Sequence, residues 1–290
     1  MSDLVELFDH PPLHEPALLL ALEGWIDAGA AAAGAIRSIL ATQSSEPIAA
    51  FDPDQLLDHR ARRPMVTLEE GVVTDMAWPT TELRAFTDAA GRHVVALVGA
   101  EPDHSWRRFV DAVHATAMGL GVRTVVGLGA YPAPVPHTRD AHLALTSPSA
   151  DLLDSFTGFV RGSVIVPAGV QTAVEVSLHE AGVPAIGLWA QVPHYISGIP
   201  YPAASLALVR GLEQVAGLVF ETSQLAAESL DGRRQLDELV EANDQHRAMV
   251  GQLEELYDSQ NVGGLGGLGP LPTADELAEE FQAFLRDQRE

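Results

Sequence analysis

The chain has 290 residues, 40 of them acidic and 17 basic, for a formal net charge of −23. All the basic residues are Arg; the absence of Lys and Cys excludes a P-loop lysine, a Schiff base, a thiolate nucleophile, Cys-ligated zinc, an iron–sulfur cluster and disulfides. A balance this acidic argues against nonspecific nucleic-acid binding, and 47% hydrophobic content is enough to bury a full core.

Met1 to His10 carries three acidic residues and no basic one, unlike a secretory signal. The apolar runs Ala17–Leu22 and Ala28–Ile36 are too short to span a bilayer. The expectation is a cytoplasmic protein that meets neither membrane nor nucleic acid.

Residues 16–23 (PALLLALE) are a continuous apolar run of strand length, followed by the turn GWIDAG and an Ala-rich helix with Ile36, Ile39 and Leu40 on one face. Residues 46–52 predict a second strand. Met65–Thr67 and Val72–Met76 flank a Leu-Glu-Glu-Gly turn and predict a hairpin. Leu83–Phe86 and His93–Val98 read as strands, and Asp103–Leu120 as a helix with Trp106, Phe109, Val110, Val113 and Met118 at helical spacing. Thr124–Leu128 is a buried strand, Val170–Ala181 a helix, Ala185–Ala190 a strand and Tyr201–Phe220 a helix. This alternation of elements predicts a mostly parallel sheet covered by helices on both faces.

Residues 221–290 hold 16 acidic and 5 basic side chains. Leu236, Leu239, Val240, Met249, Val250, Leu253 and Leu256 predict one long helix with a narrow apolar stripe, to be buried on the core or on a neighbour. Residues 261–272 (NVGGLGGLGPLP) read as a linker. Thr273 and Glu276 have the spacing of a capping box, and Leu277, Phe281, Phe284 and Leu285 follow on one helical face. The expected organisation is an α/β core over 1–220, a helical extension over 221–260, a linker over 261–272 and a tethered amphipathic helix over 273–290.

Ligands of open parallel sheets bind beyond the carboxyl ends of the strands. The turns there carry Glu23, Trp25 and Asp27; then Glu101; then Tyr131, His137, Thr138 and Arg139; then Gln191, His194 and Tyr195. Neighbouring strands would make these a candidate pocket of acids, imidazoles, phenols and a guanidinium. The equally weighted alternative makes Asp27 and Asp103 only helix N-caps, and Trp25 and Tyr195 only packing groups. No catalytic residue is identified. Arg60, Arg62 and Arg63 fall within four residues and suit either an anion or salt bridges at a subunit interface. No G-x-G-x-x-G fingerprint, G-x-S-x-G elbow or H-E-x-x-H motif occurs, so neither a cofactor nor a metal is expected.

At GWIDAGAAAAG, FDPDQLLDHRARRP, VGAEPDHSWRRF, GLGAYPAPVPHTR and EAGVPAIGLWAQVPHYI, the sequence resembles the proteasome assembly chaperone family, specifically its actinobacterial branch. The resemblance covers roughly residues 10–220 and extends into the helix beyond. It implies a three-layer α/β/α sandwich with a mixed, mostly parallel sheet like that of purine nucleoside phosphorylases. It also implies a homo-oligomer, with a trimer favoured, and no established reaction. Its motifs fall on Gly24, Trp25, Asp27, Gly29, Arg62, Arg63, Glu101, Pro132, His137, Thr138, Arg139, Gln191, Pro193, His194 and Tyr195. Proteasome-binding relatives of this kind often end in hydrophobic–Tyr–X, whereas this sequence ends Asp287-Gln288-Arg289-Glu290.

The leading expectation is therefore a noncatalytic assembly or protein-interaction factor that contacts itself and, through its C-terminal helix, another protein. The alternative is a nucleoside or phosphorylated-metabolite enzyme or binder. In it Glu101 or Asp27 would be acid–base or ribose-binding groups, His137 or His194 proton carriers, and Arg139 the anion clamp.

Overall fold

The computed structural model describes residues 4–24 and 26–263. One eight-stranded sheet organises the chain. Its strands are β1 (Val5–Leu7), β2 (Ala17–Glu23), β3 (Glu46–Phe51), β6 (Thr81–Thr87), β7 (His93–Ala100), β8 (Thr124–Ala133), β9 (Leu143–Thr146) and β10 (Ala185–Pro193). Across the sheet the order is β1-β3-β6-β7-β2-β8-β10-β9. The central four, β7-β2-β8-β10, are mutually parallel. Antiparallel pairs flank them on both sides. β4 (Met65–Glu69) and β5 (Val72–Ala77) form the expected hairpin as a separate two-stranded ribbon.

The central strands are continuously apolar because both faces are covered. Leu18, Leu20, Val95, Leu97 and Val125 belong to the core layer shared with α3 (Trp106–Gly119) and α5 (Val170–Glu180). Leu19, Ala21, Val94, Ala96, Val126 and Leu128 belong to the layer shared with α1 (Ala31–Thr42) and α6 (Pro202–Ala216). The result is a three-layer α/β/α sandwich. α1 is Ala-rich because α6 approaches closely: a Cβ on Gly34 would overlap the Ser205 hydroxyl.

Several elements differ from the sequence reading. The short strands β1 and β9 and the short helices α2 (Pro53–Leu56) and α4 (Ala150–Asp154) were not anticipated. They are too brief to show a period. The expected single helix of the extension is two, α7 (Ser223–Glu241) and α8 (Asp244–Gly263). The break falls at Asn243, whose side-chain oxygen accepts from the N–H groups of Gln245 and His246 and so caps α8. The break also divides the stripe. Val250 and Leu253 are buried and Leu236 packs on the core, whereas Leu239 and Leu256 face outward. α8 runs three residues into the expected linker, and the rest of that linker and the capping-box segment lie outside the described residues.

Candidate functional site

The four parallel strands end on one edge, so the turns singled out in the sequence share a rim. Their polar groups sort into separate clusters rather than one pocket.

The first lies beyond β2 and β7. The Glu101 N–H donates to the Glu23 carbonyl at 2.8 Å, and a Cβ on Gly24 would collide with the Glu101 side chain. Glu101 Oε1 accepts the Val170 N–H at 2.7 Å, placing its charge at the N-terminus of α5. Asp27 accepts from Ala32 at 2.7 Å and Ala33 at 3.0 Å, anchoring the start of α1. Burial pushes the Asp27 carboxyl up, against these helix N–H bonds, which lower it. Ile26 and Ala30 on either side take positive φ, an uncommon backbone for residues bearing a Cβ. Asp27, Glu101, Gln171 and Trp189 border a cavity of about 20 Å³, room for a single water. Glu23 is exposed at the rim, and Trp25 lies outside the described residues.

Of the second cluster, the sequence singles out Tyr131 and Gln191 but not Gln171, Glu175 or Trp189. Gly127 and Gly129 on β8 and Gly187 on β10 leave a strip of bare backbone beneath α5. A Cβ on Gly127 would overlap the ends of Gln171 and Glu175, and one on Gly129 the Trp189 ring. Glu175 is 2% exposed and accepts from Gln171 Nε2 at 3.1 Å. Burial raises its carboxyl to about 8, so it is mostly protonated at neutral pH. Trp189 Nε1 donates to Thr146 at 2.9 Å, and Gln191 Nε2 donates to the Tyr131 hydroxyl at 2.9 Å. Three glycines inside strands were the available signal, since such positions mark a close approach.

The third cluster is the segment after β8. His137 is buried, and its backbone N–H donates to the Tyr195 hydroxyl at 2.9 Å. That hydroxyl lies 2.6 Å from His137 Nδ1, and Nε2 lies 3.1 Å from Asp237 on α7. A neutral ring protonated at Nε2 satisfies all three: Tyr195 donates to Nδ1, and Nε2 donates to the carboxylate. Thr138 donates to Glu254 on α8. Arg139 pairs with Glu254 at 3.0 Å and with Asp258 at 2.7 Å. Arg233 donates to the Thr138 carbonyl and the Tyr257 hydroxyl to that of Asp140. His194 stands edge-on to Tyr195 at 5.5 Å. The groups expected as proton carrier and anion clamp thus grip the chain's own acidic extension.

The Arg trio is likewise divided. Arg62 meets Asp103 at 3.2 Å, while Arg60 and Arg63 are exposed and form no ion pair among the described residues. Among the described residues no group of three or more His, Asp or Glu is placed to hold a metal, and no helix is long and apolar enough to cross a membrane.

Comparison with known proteins adds to this geometry. Residues 21–240 match the model of the PAC2 family. A Corynebacterium glutamicum protein of unknown function is 32% identical, with a TM-score of 0.83 over 88% of this chain and 97% of that one. A Mycobacterium tuberculosis protein of unknown function is 34% identical, with a TM-score of 0.82 over 89% of this chain and 90% of its own. A second M. tuberculosis protein, described as a proteasome-assembly chaperone homologue, is 32% identical, with a TM-score of 0.74 over 81% of this chain and 99% of that one. No curated protein matches.

Proposed function

Because the chain belongs to the PAC2 family, we propose that it is a noncatalytic assembly or protein-interaction factor that works in the cytoplasm as a homo-oligomer, a trimer being the expected form. The observation that carries this reading is the grip of His137, Thr138 and Arg139 on α7 and α8. Conspicuous polar groups at the strand ends serve to present an acidic helical surface, on which Leu230 and Leu239 stand 70% and 65% exposed. The M. tuberculosis relative described as a proteasome-assembly chaperone homologue supports protein subunits as the partner class.

In this reading residues 1–220 are the core and 221–260 the extension held on it. The C-terminal segment 273–290, which would offer a second contact to another protein, lies outside the described residues. Sedimentation of the purified chain with purified proteasome subunits of its own cell tests it. A complex at micromolar concentration is expected, and two species sedimenting independently would overturn it.

The nucleoside or metabolite reading has less support, because Arg139, Asp27, Glu101 and His137 are already engaged within the chain. A ligand at 100 times its Kd would add about 2.7 kcal/mol of stability. A thermal-shift panel of nucleosides and sugar phosphates is expected to show no such gain, and a clear shift would restore that alternative.

A further inference from the structure

Ahead of α5 the chain crosses the surface as a single strap, Arg161-Gly-Ser-Val-Ile-Val-Pro-Ala-Gly169, without a turn or a bend. Its residues dictate that shape. Val164, Ile165 and Val166 are β-branched and favour extended backbone, and Pro167 holds Val166 out of the helical region. Both ends are fixed. The Val160 N–H donates to the Leu143 carbonyl at 2.8 Å, and Arg161 pairs with Asp154 at 2.7 Å. At the far end Val170 is fully buried and its N–H donates to Glu101. In between, every residue from Arg161 to Ala168 is exposed, Val164 by 60%, Val166 by 62% and Ile165 completely. Among the described residues no hydrogen bond reaches a backbone N–H or carbonyl from Gly162 to Pro167.

This is a strand without a partner, and it lacks the charges that keep exposed apolar strands apart. No charged residue falls between Gly162 and Gly169. The β4–β5 hairpin, by contrast, carries exposed Glu69, Glu70 and Asp75, and the edge strand β1 is three residues long and includes Glu6. In a chain of net charge −23, two copies meet with least repulsion along an uncharged segment. The strap is also complementary to itself. Laid antiparallel on a second copy about Ile165, it sets Val164 opposite Val166 and Ile165 opposite Ile165. Val164 and Val166 turn their N–H and C=O groups to one edge, and Ser163, Ile165 and Pro167 turn theirs to the other. The first edge is complete, whereas the second lacks a donor at Pro167. Pairing through the complete edge lets Val164 of one copy and Val166 of the next exchange both hydrogen bonds. The two Ile165 residues then form a non-hydrogen-bonded pair, about 4.5 Å apart at Cα, with their side chains in contact.

We infer that the strap of one copy pairs with the same strap of a second copy, antiparallel, across a twofold axis at Ile165. This goes beyond the homo-oligomeric reading above by adding a twofold contact to it. Two of the expected trimers join face to face, and the assembly holds an even number of chains. One short ladder is weak, but three formed at once between two trimers reinforce one another through effective concentration.

Light scattering at low micromolar concentration reads the number of chains. The unaltered protein is expected at an even number. Ile165→Asp, which sets two like charges face to face at the axis, is expected at half that number with unchanged circular dichroism. A single-chain mass of 30.9 kDa for the unaltered protein would defeat the homo-oligomeric reading together with the strap. An odd number, or an even one that survives Ile165→Asp, overturns the strap and leaves self-association standing. If Ile165→Asp spares the mass and abolishes a complex with proteasome subunits, the strap serves another protein's strand and the self-pairing is overturned. The absence of cysteine allows a second measurement. The separation at the axis lies within the range of about 4.4–6.8 Å between Cα atoms that a disulfide spans. Ile165→Cys is therefore expected to oxidise to a covalent dimer. Ser163→Cys, whose counterpart stands farther along the paired strand, is expected to run as a single chain on a denaturing gel. Cross-linking of both variants alike, or of neither, overturns the register.

Discussion

His137 Nε2 reaches the Asp237 carboxylate at 3.1 Å across 100 residues of chain, tying the segment after β8 to α7. Burial lowers the ring's pKa from its ordinary value. The Asp237 hydrogen bond and charge oppose this, Arg233 reinforces it and Glu254 opposes it. His142, stacked on Tyr257 of α8 at 4.4 Å, is also lowered by burial.

A lowered folded-state pKa means that the released form binds more protons. The contribution of these rings to docking is therefore complete above about pH 6.5 and declines as pH falls below it. Hydrogen exchange is expected to show α7 and α8 losing protection between about pH 7.5 and 5.5, after correction for intrinsic rates, while β2 and β8 keep theirs. Protection of the helices that rises on acidification would contradict the assignment.

Arg139→Ala removes the cation shared by Glu254 and Asp258. All three side chains are substantially exposed, so the loss is small and is felt in α8 rather than in the sheet. Faster amide exchange in α8 with an unchanged sheet is the expected outcome. Added salt should narrow the difference between the two proteins. Cooperative unfolding of the whole chain would show that the extension is part of the core.

Glu175 presents the opposite sign. Its carboxyl is raised to about 8, so the folded chain binds the extra proton and stability falls as pH rises from the ordinary carboxylate range towards that value. Glu175→Gln keeps the shape without the charge. Its melting temperature is expected to exceed that of the parent by a margin that widens up to about pH 8 and then levels. At this size each 1 kcal/mol is worth roughly 2–4 °C. A gap independent of pH would place Glu175 in a wetter setting than its 2% exposure indicates.

Gly127→Ala would drive a methyl into the ends of Gln171 and Glu175, at a cost of about 1–3 kcal/mol. Gly119→Ala is the control: nothing lies within 4 Å of its Cβ direction, and in a helix Ala is favoured by about 0.5–1 kcal/mol. Chemical denaturation is expected to move the two midpoints in opposite directions. Equal behaviour would remove the case for a glycine strip beneath α5.

The sheet was legible because β2, β8 and β10 are long, apolar and bounded by turns, and the shared rim followed from their being parallel. What the rim groups bind was not legible. The partners of His137, Thr138 and Arg139 are Asp237, Glu254 and Asp258, which in sequence read as the solvated side of an acidic helix. Glu175 was passed over for a related reason: with Gln171 at i, i+4 it looks like an ordinary surface pair, and only the glycines on two distant strands reveal that it points inward. The break at Asn243 did have a local signal, an Asn-Asp pair in an otherwise continuous stripe, but the stripe outweighed it.

The position of β2 bears on how the chain is made. Its neighbours in the sheet are β7 and β8, so a strand complete at Glu23 finds its first partner only when synthesis reaches His93, about 70 residues later. At roughly 5–20 residues per second that is a wait of about 4–14 s. Through it Leu18, Leu19 and Leu20 have no strand to pair with, while β3 and β6 can already pair with each other. A central strand of the finished sheet is thus the strand that waits longest for its first partner, and the interval is set by strand order alone.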